Sequence, residues 1–253
     1  MFKVAIIQAP LAWENIEDNV RYFSEKLNSI EADLVVLPEM FTTGFTMNPE
    51  TNFELMTGSL IQQLQDIAEA KNFAIVGSLI IKENDCYYNR LVFIEPNKKI
   101  HTYDKRHLFS LAKEQLVYTP GTDRLVVEYK GWKICPLVCY DLRFPVFSRN
   151  TVNYDLLLYV ASWPEKRIYA WDTLLKARAI ENMCYTIGVN RIGIDGFNAN
   201  YIGHSQVIDY MGKYVVEPFE EEAIKYVDLD KDIKDTAINK LGFLKDQDIF
   251  TIN

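Results

Sequence analysis

The chain has 253 residues, 49% apolar and 25% charged, which suits one large α/β domain with a substantial core. Its net charge of -8 argues against nucleic acid as the main partner, because phosphate binding needs a basic face. No apolar run reaches the ~20 residues that span a bilayer, and Met1-Phe2-Lys3-Val4-Ala5-Ile6-Ile7-Gln8 carries no cleavable leader pattern, so a cytoplasmic protein without a membrane partner is expected.

Residues 4–9 read as a buried strand closed by Pro10. A helical stripe follows at Val20, Phe23 and Leu27, then an apolar strand over 34–37 that ends at Pro38-Glu39. Leu60, Ile61, Leu64, Ile67 and Ala68 have the spacing of a core-facing helix. Residues 73–80 predict a third buried strand, and 91–94 with 100–103 a hairpin turned at Pro96-Asn97. The order then restarts. A strand over 134–139, a helical segment near Phe147, a strand over 156–160, a helix stripe at Trp171, Leu174, Leu175 and Arg178, a strand over 185–190 and a hairpin turned at Met211-Gly212 follow in turn. Asp33-Leu34-Val35-Val36-Leu37 resembles Asp155-Leu156-Leu157-Leu158-Tyr159, and Phe73-Ala74-Ile75-Val76-Gly77 resembles Tyr185-Thr186-Ile187-Gly188-Val189. Two similar halves, each with a sheet covered by helices, predict a four-layer α-β-β-α sandwich. Residues 231–253 leave the pattern and read as an arm packed on the domain or on a partner chain.

Ligands in open α/β sheets gather at the carboxyl ends of strands. There the sequence puts a carboxylate, Glu39, an ammonium, Lys105, and a thiol, Cys139. Each alone reads as a cap, a solvated basic turn or core packing; together they read as a site. Cys139 stands where a strand stops and Pro145 can open a helix, a place where unpaired N–H groups favour the thiolate. A thiol attacking a carboxamide needs a base, which a pocket carboxylate supplies, and an oxyanion donor, which an ammonium and a backbone N–H supply. His101, His107 and His204 leave a Cys–His arrangement open at this point. Cys86, Cys135, Cys139 and Cys184 show no paired spacing for a disulfide scaffold or a zinc site. Cys135 and Cys139 on one strand would lie about 13 Å apart, beyond the ~7 Å reach of a disulfide, which disfavours a redox pair.

Leu37-Pro38-Glu39, Tyr103-Asp104-Lys105-Arg106-His107-Leu108 and Val138-Cys139-Tyr140-Asp141-Leu142-Arg143-Phe144-Pro145, in this order, resemble the nitrilase (carbon–nitrogen hydrolase) superfamily. Thr42-Thr43-Gly44-Phe45 and Ala161-Ser162-Trp163-Pro164 are similar to its omega-amidase branch. The resemblance implies a single carbon–nitrogen hydrolase domain over 1–253, with Cys139 as nucleophile, Glu39 as general base and Lys105 as oxyanion stabiliser. It further implies a second oxyanion donor in the backbone N–H of Tyr140, a supporting carboxylate in Glu114 and a structural role for His107. The implied substrates are small-molecule monoamides of 2-oxo dicarboxylic acids, 2-oxoglutaramate and 2-oxosuccinamate, in bacteria associated with methionine salvage. A homodimer is implied, and no metal or organic cofactor. The substrate carboxylate would need a cation; Arg143 and Arg191 are the candidates, and each also reads as a structural ion pair. Phe45, Tyr140 and Trp163 are candidate pocket walls. Another superfamily branch and a non-catalytic protein that keeps the fold are the alternatives.

Overall fold

The computed structural model describes residues 1–251. Two six-stranded sheets pack face to face with helices outside. The first half runs β1 (Phe2–Gln8), α1 (Ile16–Asn28), β2 (Leu34–Val36), α2 (Ser59–Lys71), β3 (Ala74–Glu83), β4 (Cys86–Ile94) and β5 (Ile100–Asp104). The second runs β6 (Val127–Tyr129), β7 (Trp132–Val138), α3 (Pro145–Ser148), β8 (Leu156–Ala161), α4 (Ile168–Asn182) and β9 (Tyr185–Asn190). It continues through β10 (Ile192–Ile194), β11 (Asn200–Ile202), β12 (Ser205–Ile208) and β13 (Tyr214–Phe219). The chain ends with β14 (Ala223–Leu229) and α5 (Lys231–Leu241). Sheet order is β14-β1-β2-β3-β4-β5 in one half and β13-β12-β9-β8-β7-β6 in the other.

Side-chain alternation sorts the first sheet's residues between two cores. Val4, Ile6, Leu34, Val36, Ala74, Val76, Leu91 and Phe93 face the second sheet, in one cluster with Ile134, Leu137 and Leu156. Ala5, Ile7, Val35, Ile75 and Val92 face Phe23, Leu27, Leu60 and Leu64 on α1 and α2. Both sides are apolar because both are covered. Asn15 caps α1, its side chain accepting from the Asp18 N–H at 3.1 Å.

The repeat is real: the expected match of Asp33 to Asp155 holds, and the second match is shifted by one residue. Asp33 N–H donates to the Lys3 carbonyl at 2.7 Å, its carboxylate accepts from Lys3 N–H at 2.8 Å, and its carbonyl accepts from Ala74 N–H at 2.9 Å. Asp155 makes the same three bonds to Lys133 and Tyr185, at 2.7, 2.9 and 3.1 Å. Ala74, and not Phe73, therefore corresponds to Tyr185, and Gly77 to Gly188. At Gly188 a Cβ would lie 2.5 Å from Leu175 and 2.6 Å from Trp171, so α4 can sit on the sheet only over a glycine.

Several elements depart from expectation. The first strand covers Phe2–Gln8, not 4–9. β4 starts at Cys86, behind a two-residue turn at Asn84 (φ 49°) and Asp85 (φ 62°). β6 and β7 form a hairpin turned at Lys130 (φ 47°) and Gly131 (φ 79°) that sequence reading missed. β14 crosses back to pair antiparallel with β1. The expected arm begins as α5, held where Lys234 Nζ meets the Asp155 carboxylate at 2.8 Å; its last two residues lie outside the described residues. Among the described residues no helix is long and apolar enough to cross a membrane.

Candidate active site

β2 and β3 run parallel, and β3, β4 and β5 are successively antiparallel, so β2 and β5 end on the same side. β7, in the facing sheet, ends there too. Glu39, Lys105 and Cys139 follow these three ends and meet between the sheets.

Val138 is the last residue of β7; Cys139 takes φ 45°, and a tight turn runs on to Arg143. A side chain in this left-handed region costs about 1–2 kcal/mol and must be held by its surroundings. Buried Asp141 holds it. Its carboxylate accepts from Val138 N–H at 3.0 Å, Tyr103 O–H at 2.7 Å and His107 N–H at 3.1 Å, with His107 Nδ1 at 2.7 Å. The His107 ring stacks on Phe144 at 3.7 Å between centroids. His101 pairs with Glu95 at 2.6 Å and His204 with Asp172 at 2.9 Å, so each histidine is paired with a carboxylate other than Glu39.

Lys105 is fully buried between two fully buried carboxylates. Its Nζ lies 2.9 Å from Glu39 Oε1 and 3.1 and 3.0 Å from the two oxygens of Glu114. Backbone N–H groups complete the cage: Ser162 donates to Glu39 Oε2 at 2.8 Å and Phe109 to Glu114 Oε2 at 2.5 Å. Gly121 closes in behind, its N–H donating to the Lys105 carbonyl at 3.1 Å; a Cβ there would come within 2.2 Å of the Asp104 carbonyl oxygen. Burial lowers the proton affinity of Lys105, but Glu114, Glu39 and Cys139 raise it more, so it stays an ammonium. Burial also raises Glu114 above the usual carboxylate range, with Glu39 adding to the rise and Lys105 opposing it.

The Cys139 thiol lies 3.9 Å from the Ser162 carbonyl oxygen. Contrary to the sequence expectation, it is harder to ionise than a free cysteine. Burial pushes it well up and the Glu39 carboxylate pushes the same way, while Lys105 only partly offsets them. The resting group is a thiol beside a carboxylate.

A cavity of about 330 Å³ opens on the thiol. Phe45, Lys105, Cys139, Tyr140, Arg143 and Trp163 all line it. Arg143 stacks its guanidinium 4.9 Å from the Trp163 ring centroid, and among the described residues no carboxylate pairs with it. Arg191 is elsewhere: buried, 4.7 Å from the Tyr201 ring centroid, with its guanidinium on the carbonyls of Leu11, Ile192 and Ile194. Neither arginine is the structural ion pair that sequence reading weighed.

The sequence pattern of the Carbon-nitrogen hydrolase family matches residues 3–238. The chain belongs to that family. Among relatives of this carbon–nitrogen hydrolase is "Omega-amidase YafV" of Escherichia coli (strain K12), 43% identical over 224 residues, 88% of this chain and 87% of the relative. The "2-oxoglutaramate amidase" of Bacillus subtilis (strain 168) is 33% identical, covering 90% of each chain. Among solved structures, XC1258 of Xanthomonas campestris, a CN-hydrolase superfamily protein with an arsenic adduct in its active site, superposes with a TM-score of 0.97. It is 38% identical, with 100% of this chain and 99% of that one covered. Nit3 of Saccharomyces cerevisiae, 23% identical, shares the fold with a TM-score of 0.86.

Sequence reading of this hydrolase missed Asn89, whose amide nitrogen lies 2.8 Å from Glu39 and 3.2 Å from Glu114. It also missed Arg167, a cavity-lining cation with its guanidinium 5.1 Å from the Phe109 ring centroid. Both sit in segments whose local pattern is that of ordinary strand and surface turn; a buried polar residue in an apolar strand was the available signal for Asn89.

Proposed function

We propose that this single-domain protein is a cysteine amidase that hydrolyses the terminal amide of a 2-oxo dicarboxylic acid monoamide, such as 2-oxoglutaramate or 2-oxosuccinamate. The observation that carries the reading is the convergence of Cys139, Glu39 and Lys105 behind a cavity that also presents Arg143 without a carboxylate partner. The omega-amidase and 2-oxoglutaramate amidase names of its relatives support the substrate class.

Cys139 sulfur attacks the amide carbon as its proton passes to Glu39, and the carbonyl π pair moves to oxygen. The oxyanion is met by the Lys105 ammonium and the Tyr140 backbone N–H. The raised thiol makes this coupling necessary: a free thiolate is scarce at neutral pH, so the proton must leave during attack. Collapse breaks the C–N bond, and its electron pair takes the Glu39 proton, releasing ammonia and a Cys139 thioester. Water then adds to the thioester carbon, giving a proton to Glu39; the C–S bond breaks and the sulfur recovers that proton. Lys105 and Glu114 keep Glu39 in place through both halves, and Arg143 takes the distal carboxylate. The walls of Phe45, Tyr140 and Trp163 exclude water from the charges.

Ammonia release is the test, measured on 2-oxoglutaramate with glutamine, asparagine and a simple nitrile alongside, for wild type and Cys139→Ala. Release from 2-oxoglutaramate that disappears in the variant is expected. Turnover of another amide or nitrile in its place would move the protein to a different branch of the family. Undiminished release by Cys139→Ala would refute the nucleophile.

A further inference from the structure

Asn89 lies in the middle of β4, 1% exposed, and the reaction above gives it no task. Its Nδ2 donates to Glu39 Oε1 at 2.8 Å and to Glu114 Oε1 at 3.2 Å, whereas its Oδ1 is buried without a partner. A buried orphan oxygen is destabilising, so the side chain is there for its two N–H groups. Its orientation is forced, since the reversed amide would set an oxygen against two carboxylates. Asp has no such donors, Ser has one, and Gln is a carbon longer.

This makes the two oxygens of Glu39 unlike. Oε1 accepts from Lys105 at 2.9 Å and Asn89 at 2.8 Å, which occupies both of its lone pairs. Among the described residues Oε2 accepts from the backbone of Ser162 at 2.8 Å, which leaves a lone pair open. Ser162 bridges the two groups: its N–H donates to Oε2, and its carbonyl oxygen lies 3.9 Å from Cys139 Sγ. We infer that Asn89 is a positioning residue that closes Oε1 of Glu39, leaves Oε2 to take and return the Cys139 proton, and with its second N–H keeps Glu114 from competing for that proton. This rests on the proposed role of Glu39. The titratable groups facing the carboxylate pair are Lys105 after β5, Cys139 after β7 and Tyr118 beyond Glu114, with Glu14 behind Tyr118.

Asn89→Leu and Asn89→Asp test it, through kcat and kcat/KM from about pH 5 to 9 on whichever amide the wild type turns over, with thermal midpoints alongside. Removing an N–H donor makes the carboxylate pair hold its proton more tightly. The acid limb should move up by about one pH unit in Asn89→Leu and further in Asn89→Asp. At neutral pH kcat should fall about tenfold or more, with KM changed less than about threefold. Equal loss at every pH with an unmoved limb, or no loss, overturns the inference. Asn89→Ser, which keeps one donor and buries no added charge, carries the test if neither of these variants folds, its limb moving up by less than that expected for Asn89→Leu. Glu39→Gln is the separate control: substantial turnover there removes the base role of Glu39, whereas an unmoved limb in the Asn89 variants with Glu39→Gln inactive removes only the role of Asn89.

Discussion

Replacing Lys105 by Met isolates the electrostatics of the cage. The two side chains are close in length, so packing changes little, but two fully buried carboxylates lose the ammonium partner that, among the described residues, they alone share, at 2.9 and 3.0 Å. Breaking a buried pair on one side destabilises by about 3–5 kcal/mol, because the remaining charge is left uncompensated. The protein can soften that loss by taking up a proton. Glu114 is already above its usual range through burial and Glu39, and Lys105 is the strongest influence pulling it down. Without Lys105 the folded state binds a proton that the unfolded chain, titrating near its ordinary value of 4.5, does not hold. Folded-state affinity above unfolded means stability falls as pH rises through that window, by about 1.4 kcal/mol per unit. The deficit of Lys105→Met should therefore be near its full size at about pH 8 and smaller at about pH 5.5, by up to ~2–3 kcal/mol, since the wild type's own raised Glu114 shares part of that window. At this chain length each kcal/mol shifts Tm by about 2–4 °C, so thermal unfolding at the two pH values resolves the difference. Activity should fall by about 10²–10³ at both. A stability deficit that is the same at both pH values, or that stays below about 1 kcal/mol at the higher one, would refute the cage as drawn.

Two further outcomes follow from the same geometry. Asp141→Asn, which weakens the grip on the turn at Cys139, should lower kcat by about tenfold or more with KM little changed, read from steady-state kinetics; proportionate loss of folded protein would refute a positioning role. Asp155→Asn leaves Lys231 and the buried Lys234 with Asp235 alone as carboxylate partner among the described residues and should destabilise by about 1–2 kcal/mol near neutrality, read by urea unfolding. Burial raises Asp155, but the Lys133 N–H and the ammoniums of Lys231 and Lys234 lower it more, so its contribution is present above about pH 4 and is lost as pH falls. A deficit that persists unchanged at about pH 3 would contradict that assignment.

The three side chains of the candidate site were legible because they are expensive where they stand. A carboxylate, an ammonium and a thiol closing apolar strands break the local pattern, and the topology brings those ends together. What supports them was not legible, because it speaks through single hydrogen bonds. Asp141 lies in the motif, yet only its contacts with Val138, Tyr103 and His107 reveal a clamp. Asn89 sits in a strand whose first residues, Cys86-Tyr87-Tyr88, hide it in a mixed pattern; the Asn84-Asp85 turn, with both φ positive, was the sign that the strand had begun. The return of β14 to β1 pairs residues such as Phe2 and Leu229, a separation no local signal spans. The thiol shift was misjudged for a related reason: strand-end position suggested a lowered value, but desolvation and one carboxylate outweigh it.

The halves repeat and the site does not, and electrostatics explains why. Val4 pairs with Leu34 as Ile134 pairs with Leu156, so Ala9 is the counterpart of Cys139 and Ala161 the counterpart of Glu39. The cage already holds two carboxylates against one ammonium in a fully buried place. It is tolerable because neutral N–H donors at Asn89, Phe109 and Ser162 share the excess charge. Ala161 directly precedes Ser162, whose N–H is one of those donors. A glutamate there, as strict symmetry would require, would add a second uncompensated charge beside Glu39, and one carboxylate would have to stay protonated. The single ammonium can neutralise one carboxylate. A sandwich of two like halves can therefore house such a cluster once, at the seam, with the carboxylate drawn from one half and the thiol from the other.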